Sequence, residues 1–262
     1  ELSLNSVNIS KRDFTWSTDL SLAHNKTAIV DVGLYDENGK PIDDVASNWF
    51  IGYPISVCYD YIFDGIVQTG ETVSYTVPSA KPGFIKYKNT NGDSVVDSKD
   101  KSVVGVKEPW LVFGLTNTFT YKGFTLSIFL NGQLGATYPN YLKSPTTIEY
   151  RKNQFNHNFW SETNPTNDYP ANVPDGSVNP LGAKFYERTD FLRIKDVNLS
   201  YRFPQKWMEK IRVNRLEVYL DVKNLYTFTS WTGLDPEFVA NSSRQLSSPQ
   251  TLQTSVGLRL EF

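Results

Sequence analysis

The residues whose types and spacing point most directly to chemistry form a short polar stretch from Asn89 to Asp100. Calcium in proteins is held by oxygen ligands, and a 12-residue loop supplies them from positions 1, 3, 5, 7, 9 and 12, with a backbone carbonyl at position 7. Counted from Asn89, this stretch has an oxygen ligand at each of these positions. The ligands are Asn89, Asn91, Asp93, the Val95 carbonyl, Asp97 and Asp100. The spacing therefore predicts a calcium site.

The loop departs from the usual calcium-binding pattern at three positions. Asn89 stands where an acidic first ligand is usual, Ser94 occupies the turn position where glycine is preferred, and Asp100 replaces a bidentate glutamate. The carboxylates of Asp93, Asp97 and Asp100 remain, which predicts weak calcium binding, roughly 10⁻⁴ to 10⁻³ M. The alternative is an acidic turn held by side-chain hydrogen bonds without a metal. The sequence leaves both open.

A second group with a binding chemistry is a set of aromatic residues earlier in the same region. Aromatic rings stack on sugars and anchor protein interfaces, so an aromatic-rich loop predicts contact with a substrate or with a partner that covers the loop. Packing within the loop is the alternative. The set is Trp49, Tyr53, Tyr59, Tyr61 and Phe63. The stretch Asp235-Pro236-Glu237 has the same two interpretations, ligand binding or the setting of a turn.

The sequence contains no motif for catalysis. GxSxG, HExxH and P-loop patterns are absent, and the two histidines, His24 and His157, stand alone. Because the sequence contains many carboxylates, a pair of them acting as in a glycosidase is the one catalytic alternative that stays open. A single cysteine, Cys58, excludes a disulfide framework or a CxxC metal site. The 26 Lys and Arg against 28 Asp and Glu exclude the basic profile of a nucleic-acid binder. We expect no enzyme and no nucleic-acid partner.

These residues must be positioned by β-strands, and the clearest strand is the last, Thr251–Phe262. Its apolar side carries Val256, Leu258 and Leu260, while Arg259 and Glu261 fall on the other side. That period of two is typical of a strand with unlike faces. A soluble sheet with a buried core and a membrane barrel with lipid outside impose the same alternation. One strand does not decide between them.

Six further stretches alternate in the same way. The fifth changes phase along its length, which predicts a β-bulge near Lys195-Asp196. The charged residues that alternate in the sixth and seventh strands, such as Glu217 and Arg259, are expected to line a wet wall and to pair across strands. The predicted strands are about 2–9, 14–22, 111–121, 124–134, 190–203 and 215–223.

The connections between the seven strands alternate strictly between short and long. Short turns inside and long loops outside are the pattern of an outer-membrane barrel, and aromatic residues at one interface are typical of it as well. Aromatic residues cluster at the short-turn end of the strands: Phe14 and Trp16, Phe119, Tyr121 and Phe124, Tyr201, Phe203 and Trp207, and Phe262. We predict an all-β chain, an antiparallel transmembrane β-barrel segment, with extracellular loops at about 24–109, 136–188 and 230–250. A helix is predicted to begin at Ser144-Pro145.

Several motifs identify a family that this chain resembles. The resemblance is to the carboxy-terminal barrel of SusC/RagA-family TonB-dependent outer-membrane transporters, and it covers nearly the whole chain. The longest motif runs from Phe191 to Tyr201, FLRIKDVNLSY. The others are LEVY at 216–219 with Asn224-Leu225, GLDPE at 233–237, YIFDG at 61–65, the acidic run after Lys86-Tyr87-Lys88, and WSETNPTNDYP at 160–170.

The resemblance implies import of an oligosaccharide or a peptide across the outer membrane of a Bacteroidetes-type Gram-negative bacterium. It also implies a SusD-like surface lipoprotein that covers the barrel and energy from TonB–ExbB–ExbD. Transporters of this kind have about 22 strands around a plug, so the seven strands predicted here would be completed by an N-terminal barrel portion and a plug that lie outside this chain. Phe262, the terminal aromatic, is then expected to act as a membrane-assembly signal.

The start of the chain agrees with that expectation, because Glu1-Leu2-Ser3-Leu4 opens inside an alternating strand. We therefore expect a portion of a longer or split protein. The competing hypothesis is a soluble, calcium-dependent glycan-binding β-domain, which would explain the acidic loop and the aromatic set without a membrane.

Overall fold

The structure of this chain, a computed structural model, describes residues 1–73, 75, 80–143, 157–173, 177–239 and 250–262. Its regular secondary structure consists almost entirely of antiparallel β-strands, which confirms the predicted fold class. None of the helices among these residues is long and apolar enough to cross a membrane. The strands are β1 Leu2–Ser10, β2 Phe14–His24, β3 Val57–Asp60, β4 Phe63–Ile66, β5 Ile85–Tyr87, β6 Ser102–Val106, β7 Leu111–Tyr121, β8 Phe124–Leu134, β9 Thr137–Pro139, β10 Tyr186–Arg188, β11 Phe191–Arg202, β12 Arg215–Thr229 and β13 Gln253–Glu261.

Seven of these strands form one antiparallel sheet in the order β1-β2-β7-β8-β11-β12-β13. Each strand lies beside its predecessor among the seven, so successive connections fall at opposite ends of the sheet. The short connections are 11–13, 122–123 and 203–214, and the last holds a short α-helix, α1, Gln205–Met208, followed by a 3-10 turn, Glu209–Ile211. The long connections, 25–110, 135–190 and 230–252, all lie at the other end.

The register of the sheet explains the change of phase in the fifth predicted strand. Ile194 pairs with Leu130 and Asp196 pairs with Phe129, so Lys195 is the extra residue of a bulge. The register against β12 also shifts between Ile194 and Asp196, but there β12 holds the extra residue, because Asn224 and Leu225 lie opposite the single Lys195. Because the bulge returns the side chains to the correct faces, Leu192 and Val197 lie on the same side of the sheet although their sequence numbers differ in parity. The predicted bulge is confirmed.

The two faces of the sheet differ in chemistry. One face carries the aliphatic residues, and many of them are solvent-exposed in this chain, including Leu220, Leu252, Val256, Leu258 and Leu260. Val256, for example, is 80% exposed. A soluble protein buries an aliphatic face of this size against a second layer. Here the face lies bare, and the opposite face carries hydroxyl, amide and charged groups.

At the short-connection end the aromatic residues pair directly across strands. Phe14 lies opposite Tyr121, and Phe124 lies opposite Tyr201. The Phe124 and Tyr201 ring centroids are 4.4 Å apart, and Trp16 stacks on Phe119 at 5.7 Å. The part of the predicted aromatic girdle on β2, β7, β8 and β11 therefore forms paired rings at one end of these strands.

The long connections are more ordered than the sequence analysis predicted. In their described parts they contain three two-stranded ribbons, β3 with β6, β4 with β5 and β9 with β10. A hydrophobic core joins the first connection to the second, and it is made of Tyr61, Ile66, Ile85, Tyr87, Val96, Trp160 and Ala183. The helix predicted to run from Ser144 to Trp160 falls outside the described residues over 144–156. Residues 157–160 are not helical, and Phe159 forms an isolated β-bridge with Tyr169.

Candidate functional site at the long-connection end

The first two long connections form one packed body, which we call the loop module. Polar bonds reinforce its core: the Tyr87 hydroxyl donates to Asn179 Oδ1 at 2.7 Å, and Trp160 Nε1 donates to Gln68 Oε1 at 2.8 Å. Burial raises the pKa of the Tyr87 phenol above its ordinary value. A neutral, hydrogen-bonded tyrosine in an apolar core stabilises the module as both a hydrophobe and a donor.

The module separates the five predicted aromatic contact residues into two groups. Trp49 and Tyr53 are exposed, at 40% and 43%. Tyr61 is buried beside Tyr87, Phe63 packs on Phe185 at 5.2 Å, and Tyr59 packs on Phe50 at 4.6 Å. Only Trp49 and Tyr53 present their rings to an incoming molecule. The other three position the loop that carries them.

Trp49 and Tyr53 lie in a segment of the first connection that exposes several other apolar side chains, and we call this set of residues the 30–55 surface. Single exposed hydrophobic residues are ordinary on protein surfaces, whereas contiguous apolar patches are typical of interaction sites. Val30, the most exposed, is accessible over 83% of its area. The members of the surface are Val30, Leu34, Tyr35, Ile42, Val45, Trp49, Tyr53 and Ile55.

The calcium-loop residues are held in a tight set of hydrogen bonds around Asp100, which is fully buried. Asp100 Oδ1 accepts from the Thr90 backbone N–H at 2.8 Å, and Oδ2 accepts from the Asp97 N–H at 2.9 Å. Burial alone would raise the pKa of this carboxyl, but the backbone donors of Asp97, Thr90 and Asn91 outweigh it and hold the pKa below 3.8. The Asp100 carboxylate therefore binds backbone N–H groups from both the beginning and the end of the loop.

The remaining predicted ligands bond to the loop backbone. Asn89 Oδ1 accepts from Gly92 N–H, Asn91 Oδ1 from Asp93 N–H, and Asp93 Oδ1 from Val95 N–H, each within 2.8 Å. Asp97 Oδ1 accepts from Lys99 N–H at 2.8 Å. Nowhere in the described ranges do three or more acidic, histidine or cysteine side chains group as metal ligands do. The hydrogen bonds match the metal-free alternative in form, and calcium binding stays a prediction.

A polar cavity of about 280 Å³ opens between the second and third connections. Its walls carry amide, carboxylate and ammonium groups beside an aromatic stack, in which the His157 and Tyr169 ring centroids are 4.1 Å apart. Burial raises the Tyr169 pKa to about 12 and lowers that of His157, so both rings are neutral near pH 7. The lining residues are Asn140, Leu142, Lys143, His157, Asn158, Asp168, Tyr169 and Thr232.

Glu187, on β10, ties the third connection to this cavity wall. Its carboxylate pairs with Lys143 and accepts from the Thr232 hydroxyl at 2.9 Å and from Asn140 Nδ2 at 3.1 Å. Burial works against the charge, but the Lys143, Thr232 and Asn140 donors outweigh it and lower the Glu187 pKa. Sequence reasoning did not find this hub, because its members are scattered over three regions and follow no period.

Arg193 fixes the motif Asp235-Pro236-Glu237. The guanidinium lies on the polar face of β11, with only 1% of its side chain exposed. Nη2 lies 2.9 Å from both Asp235 oxygens, Nη1 2.5 Å from Glu237 Oε2, and Nε 2.8 Å from Thr227 Oγ1. Both acidic residues are thus occupied by Arg193, which agrees with the structural interpretation of the motif. The sequence analysis did not single out Arg193.

Of the charged residues predicted to pair across the last strands, Glu217 and Arg259 do so, whereas Arg215 pairs with Glu217 within β12. Glu217 is buried between Arg215, whose Nη2 is 2.6 Å away, and Arg259, whose Nη1 reaches across from β13 at 2.9 Å. The Arg259 guanidinium also lies 5.0 Å from the Tyr219 ring centroid. Phe262 follows β13 and is 83% exposed.

No model of a known protein family matches this chain. Several curated proteins, however, are similar to it in sequence. TonB-dependent receptor P3 of Formosa agariphila is 26% identical over 98% of this chain and 26% of its own length. TonB-dependent receptor P26 of the same organism is 28% identical over 90% of this chain and 25% of its length. TonB-dependent receptor SusC of Bacteroides thetaiotaomicron is 25% identical over the whole chain and 26% of its length.

Solved structures agree on the fold. The RagAB peptide transporter aligns with 99% of this chain and 28% of its own chain, with a TM-score of 0.70 and 20% identity. A closed state of the RagAB peptide importer aligns with a TM-score of 0.67. The chain spans about a quarter of the length of the curated relatives it matches. The resemblance to SusC/RagA-family proteins is confirmed, and the sheet matches a portion of a RagA-like barrel.

Proposed function

We propose that this chain is part of the barrel of a TonB-dependent outer-membrane transporter that imports oligosaccharides or peptides. The observation that carries the proposal is the bare aliphatic face of a seven-stranded sheet whose long connections all lie at one end. Such a face suits lipid, and the girdle at the short-connection end suits a membrane interface. The relatives named above are receptors and transporters, which supports transport rather than catalysis.

The sheet has two edges that the chain itself does not pair. Among the described strands, β1 has only β2 as a neighbour and β13 has only β12. Lipid does not tolerate exposed backbone donors and acceptors, so a spanning sheet must close. In the proposed transporter the edges pair with strands of an N-terminal barrel portion, which also supplies the plug and the contact with TonB–ExbB–ExbD.

A SusD-like lipoprotein is the partner that we propose for the 30–55 surface. A sugar or peptide cargo needs a few aromatic platforms, whereas this surface offers aliphatic and aromatic residues over a whole segment. Protein interfaces bury such sets at their centre. In the proposed orientation the surface faces outward, where a surface lipoprotein can cover it, and the polar cavity beside Tyr169 remains for cargo.

Weak calcium binding by the Asn89–Asp97 oxygens is a further part of the proposal. Asp100 would then act as the anchor of the loop backbone and not as a bidentate ligand. The ion would contribute local rigidity at the outer rim and no chemistry.

Charge placement in β13 tests the membrane proposal. Val256 and Ser255 are neighbours on opposite faces, and both are exposed in this chain. Val256→Arg places a charge against lipid and is expected to destabilise the barrel by about 2–4 kcal/mol at mid-depth. Ser255→Arg faces the wet interior and is the matched control. The measurement is the unfolding free energy of the protein in lipid vesicles. Equal, small effects of the two variants would favour the soluble glycan-binding alternative.

The composition of the native assembly tests the partners. We expect the chain to be extracted from outer membranes only with detergent, and to co-purify with an N-terminal barrel piece and a surface lipoprotein in intact-mass analysis. Uptake of the cargo should be lost in cells without TonB. A detergent-free, monodisperse monomer would overturn the transporter proposal.

A further inference from the structure

The three short connections carry an unusual concentration of positive charge. They contain six lysine or arginine residues but only two acidic residues, which are Asp13 and Glu209. The three long connections contain 14 cations and 20 acidic residues. The short and the long connections therefore carry net charges of opposite sign, although the chain as a whole is close to neutral. The six cations are Lys11, Arg12, Lys122, Lys206, Lys210 and Arg212.

These cations lie along one continuous rim. Backbone hydrogen bonds hold the three short connections side by side: Lys122 N–H donates to Asp13 O at 3.3 Å, and Arg202 N–H, at the end of β11 directly before the third connection, donates to Gly123 O at 2.9 Å. All six cations are exposed. Within the described residues none of them forms an ion pair. Their charge is available to a partner.

The rim directly adjoins the aromatic girdle. Lys122 Nζ lies 5.3 Å from the Tyr121 ring centroid, and the Phe203 and Trp207 centroids are 6.2 Å apart. In the α1 connection Met208 is buried, whereas Lys206, Trp207 and Lys210 point to solvent. Amphipathic aromatic rings settle at the headgroup level of a bilayer, and lysines beside them reach the lipid phosphates.

We propose that this rim binds the headgroups of anionic phospholipids in the leaflet that faces the short connections. The inference rests on the proposed membrane function and adds the chemistry of the lipid. Six unpaired cations next to a girdle match a surface of phosphate groups that carry net negative charge, whereas a zwitterionic headgroup offers no net charge to them. The rim thereby selects anionic lipids from the surrounding bilayer. It also sets how deeply the short-connection end of the sheet lies in that bilayer.

The test uses the native assembly reconstituted in bilayers, with Trp207 as the reporter. Brominated phosphatidylglycerol and brominated phosphatidylcholine quench tryptophan on contact, and the difference between the wild type and Trp207→Phe isolates the Trp207 signal. We expect phosphatidylglycerol to occupy this position with about fivefold preference, the effect of roughly one well-placed cation. The preference should fall to about one in the Lys122→Gln/Lys206→Gln/Lys210→Gln variant.

A matched control removes the same charge elsewhere. Lys26, Lys40 and Lys81 are exposed residues of the first long connection, and their joint replacement by Gln should leave the preference unchanged. Equal quenching by both lipids, or a preference that survives loss of the rim lysines, would overturn the lipid inference and leave the transporter proposal intact. Absence of quenching by either lipid would overturn both, because the girdle would then lie outside a bilayer.

Discussion

Arg193 Nη2 lies 2.9 Å from both carboxylate oxygens of Asp235, a residue 42 positions further along the chain. The pair joins the polar face of β11 to the third long connection, and both side chains are almost completely buried. A buried ion pair contributes little net stability when intact, but removal of one partner leaves an uncompensated charge.

Arg193→Ala is therefore expected to destabilise the protein by about 3–5 kcal/mol and to release the 230–252 connection to protease. Limited proteolysis with mass mapping measures cleavage within the 230–252 connection, and denaturant unfolding measures the decrease in unfolding free energy. Arg188→Ala is the control, because Arg188 pairs with Asp190 at the surface and such pairs contribute about 0–1 kcal/mol. Unchanged protease resistance of the connection in Arg193→Ala would show that the Arg193–Asp235 pair does not hold it in place.

Asp100 gives the loop module an acid-sensitive point. Burial raises the pKa of its carboxyl, but hydrogen bonds from the backbone outweigh burial and leave that pKa lowered in the folded state. The ionised Asp100 side chain therefore stabilises the folded state fully above its ordinary pKa of 3.8, and this stabilisation is lost as the pH falls through the lower folded value. Asp100→Asn should remove that acid dependence. At neutral pH it should raise the hydrogen-exchange rates of the Thr90 and Asp97 amides about tenfold, as expected for the loss of charge-assisted bonds. Asp93→Asn, at an exposed position, is the control.

Calcium binding is tested at the same loop. We expect millimolar calcium to slow amide exchange between residues 91 and 97, with a midpoint of roughly 10⁻⁴ to 10⁻³ M, and a chelator to reverse the effect. Asp93→Asn should abolish the calcium response while Thr90 and Asp97 stay protected by Asp100. Protection that does not change with calcium would leave the metal-free turn as the correct interpretation.

The exposed and packed aromatic residues of the loop module should respond differently to truncation. Trp49→Ala with Tyr53→Ala should leave the melting temperature unchanged and reduce co-purification of the lipoprotein. Phe63→Ala should instead destabilise the module by about 3–5 kcal/mol, because Phe63 packs on Phe185 and the shared core. Differential scanning and quantitative pull-down separate the two effects. A double variant that retains the lipoprotein in full would refute the 30–55 surface as its docking site.

Gly257 in β13 has a side-chain partner that replaces its missing Cβ. The Tyr219 ring lies opposite it, and a Cβ at position 257 would come within 2.3 Å of that ring. Gly257→Val should therefore displace Tyr219 and its contact with Arg259, at a cost of about 1–3 kcal/mol. Tyr219→Ala combined with Gly257→Val should be less harmful than the sum of the two single changes. A double-mutant cycle in vesicles measures the coupling, and strict additivity would contradict it.

The alternation of side chains was enough to predict the seven-stranded sheet. β7 and β8 begin and end at the predicted residues. The bulge at Lys195 follows from a break in the alternation of apolar and polar residues, which is visible in the sequence. Such features are local, because a strand between unlike environments must alternate. β12 extends to Thr229, six residues beyond the predicted end, because Tyr226 and Phe228 continue its pairing with β11 after the bulge.

The contacts of the long connections could not be predicted in this way. Trp160 meets Gln68, and Arg193 meets Asp235, across large sequence separations and without any period. The predicted aromatic set illustrates the limit. Trp49 and Tyr61 are equally aromatic in the sequence, yet one is exposed and the other lies in a core that forms only when the second connection packs against the first. Residue type indicates what a side chain can bind, and tertiary packing decides whether it is accessible.

The shared core of Tyr61, Ile66, Tyr87, Trp160 and Ala183 has a mechanical consequence. Two loops that bury side chains in one core cannot bend separately without exposing that core to water, so the loop module is stiff. Polar contacts of Arg193 and Glu187 attach the described part of the third connection to the sheet and to the loop module, and Trp231 and Val239 are buried there as well. Any opening of this end of the barrel should therefore move the first two connections together as one rigid unit.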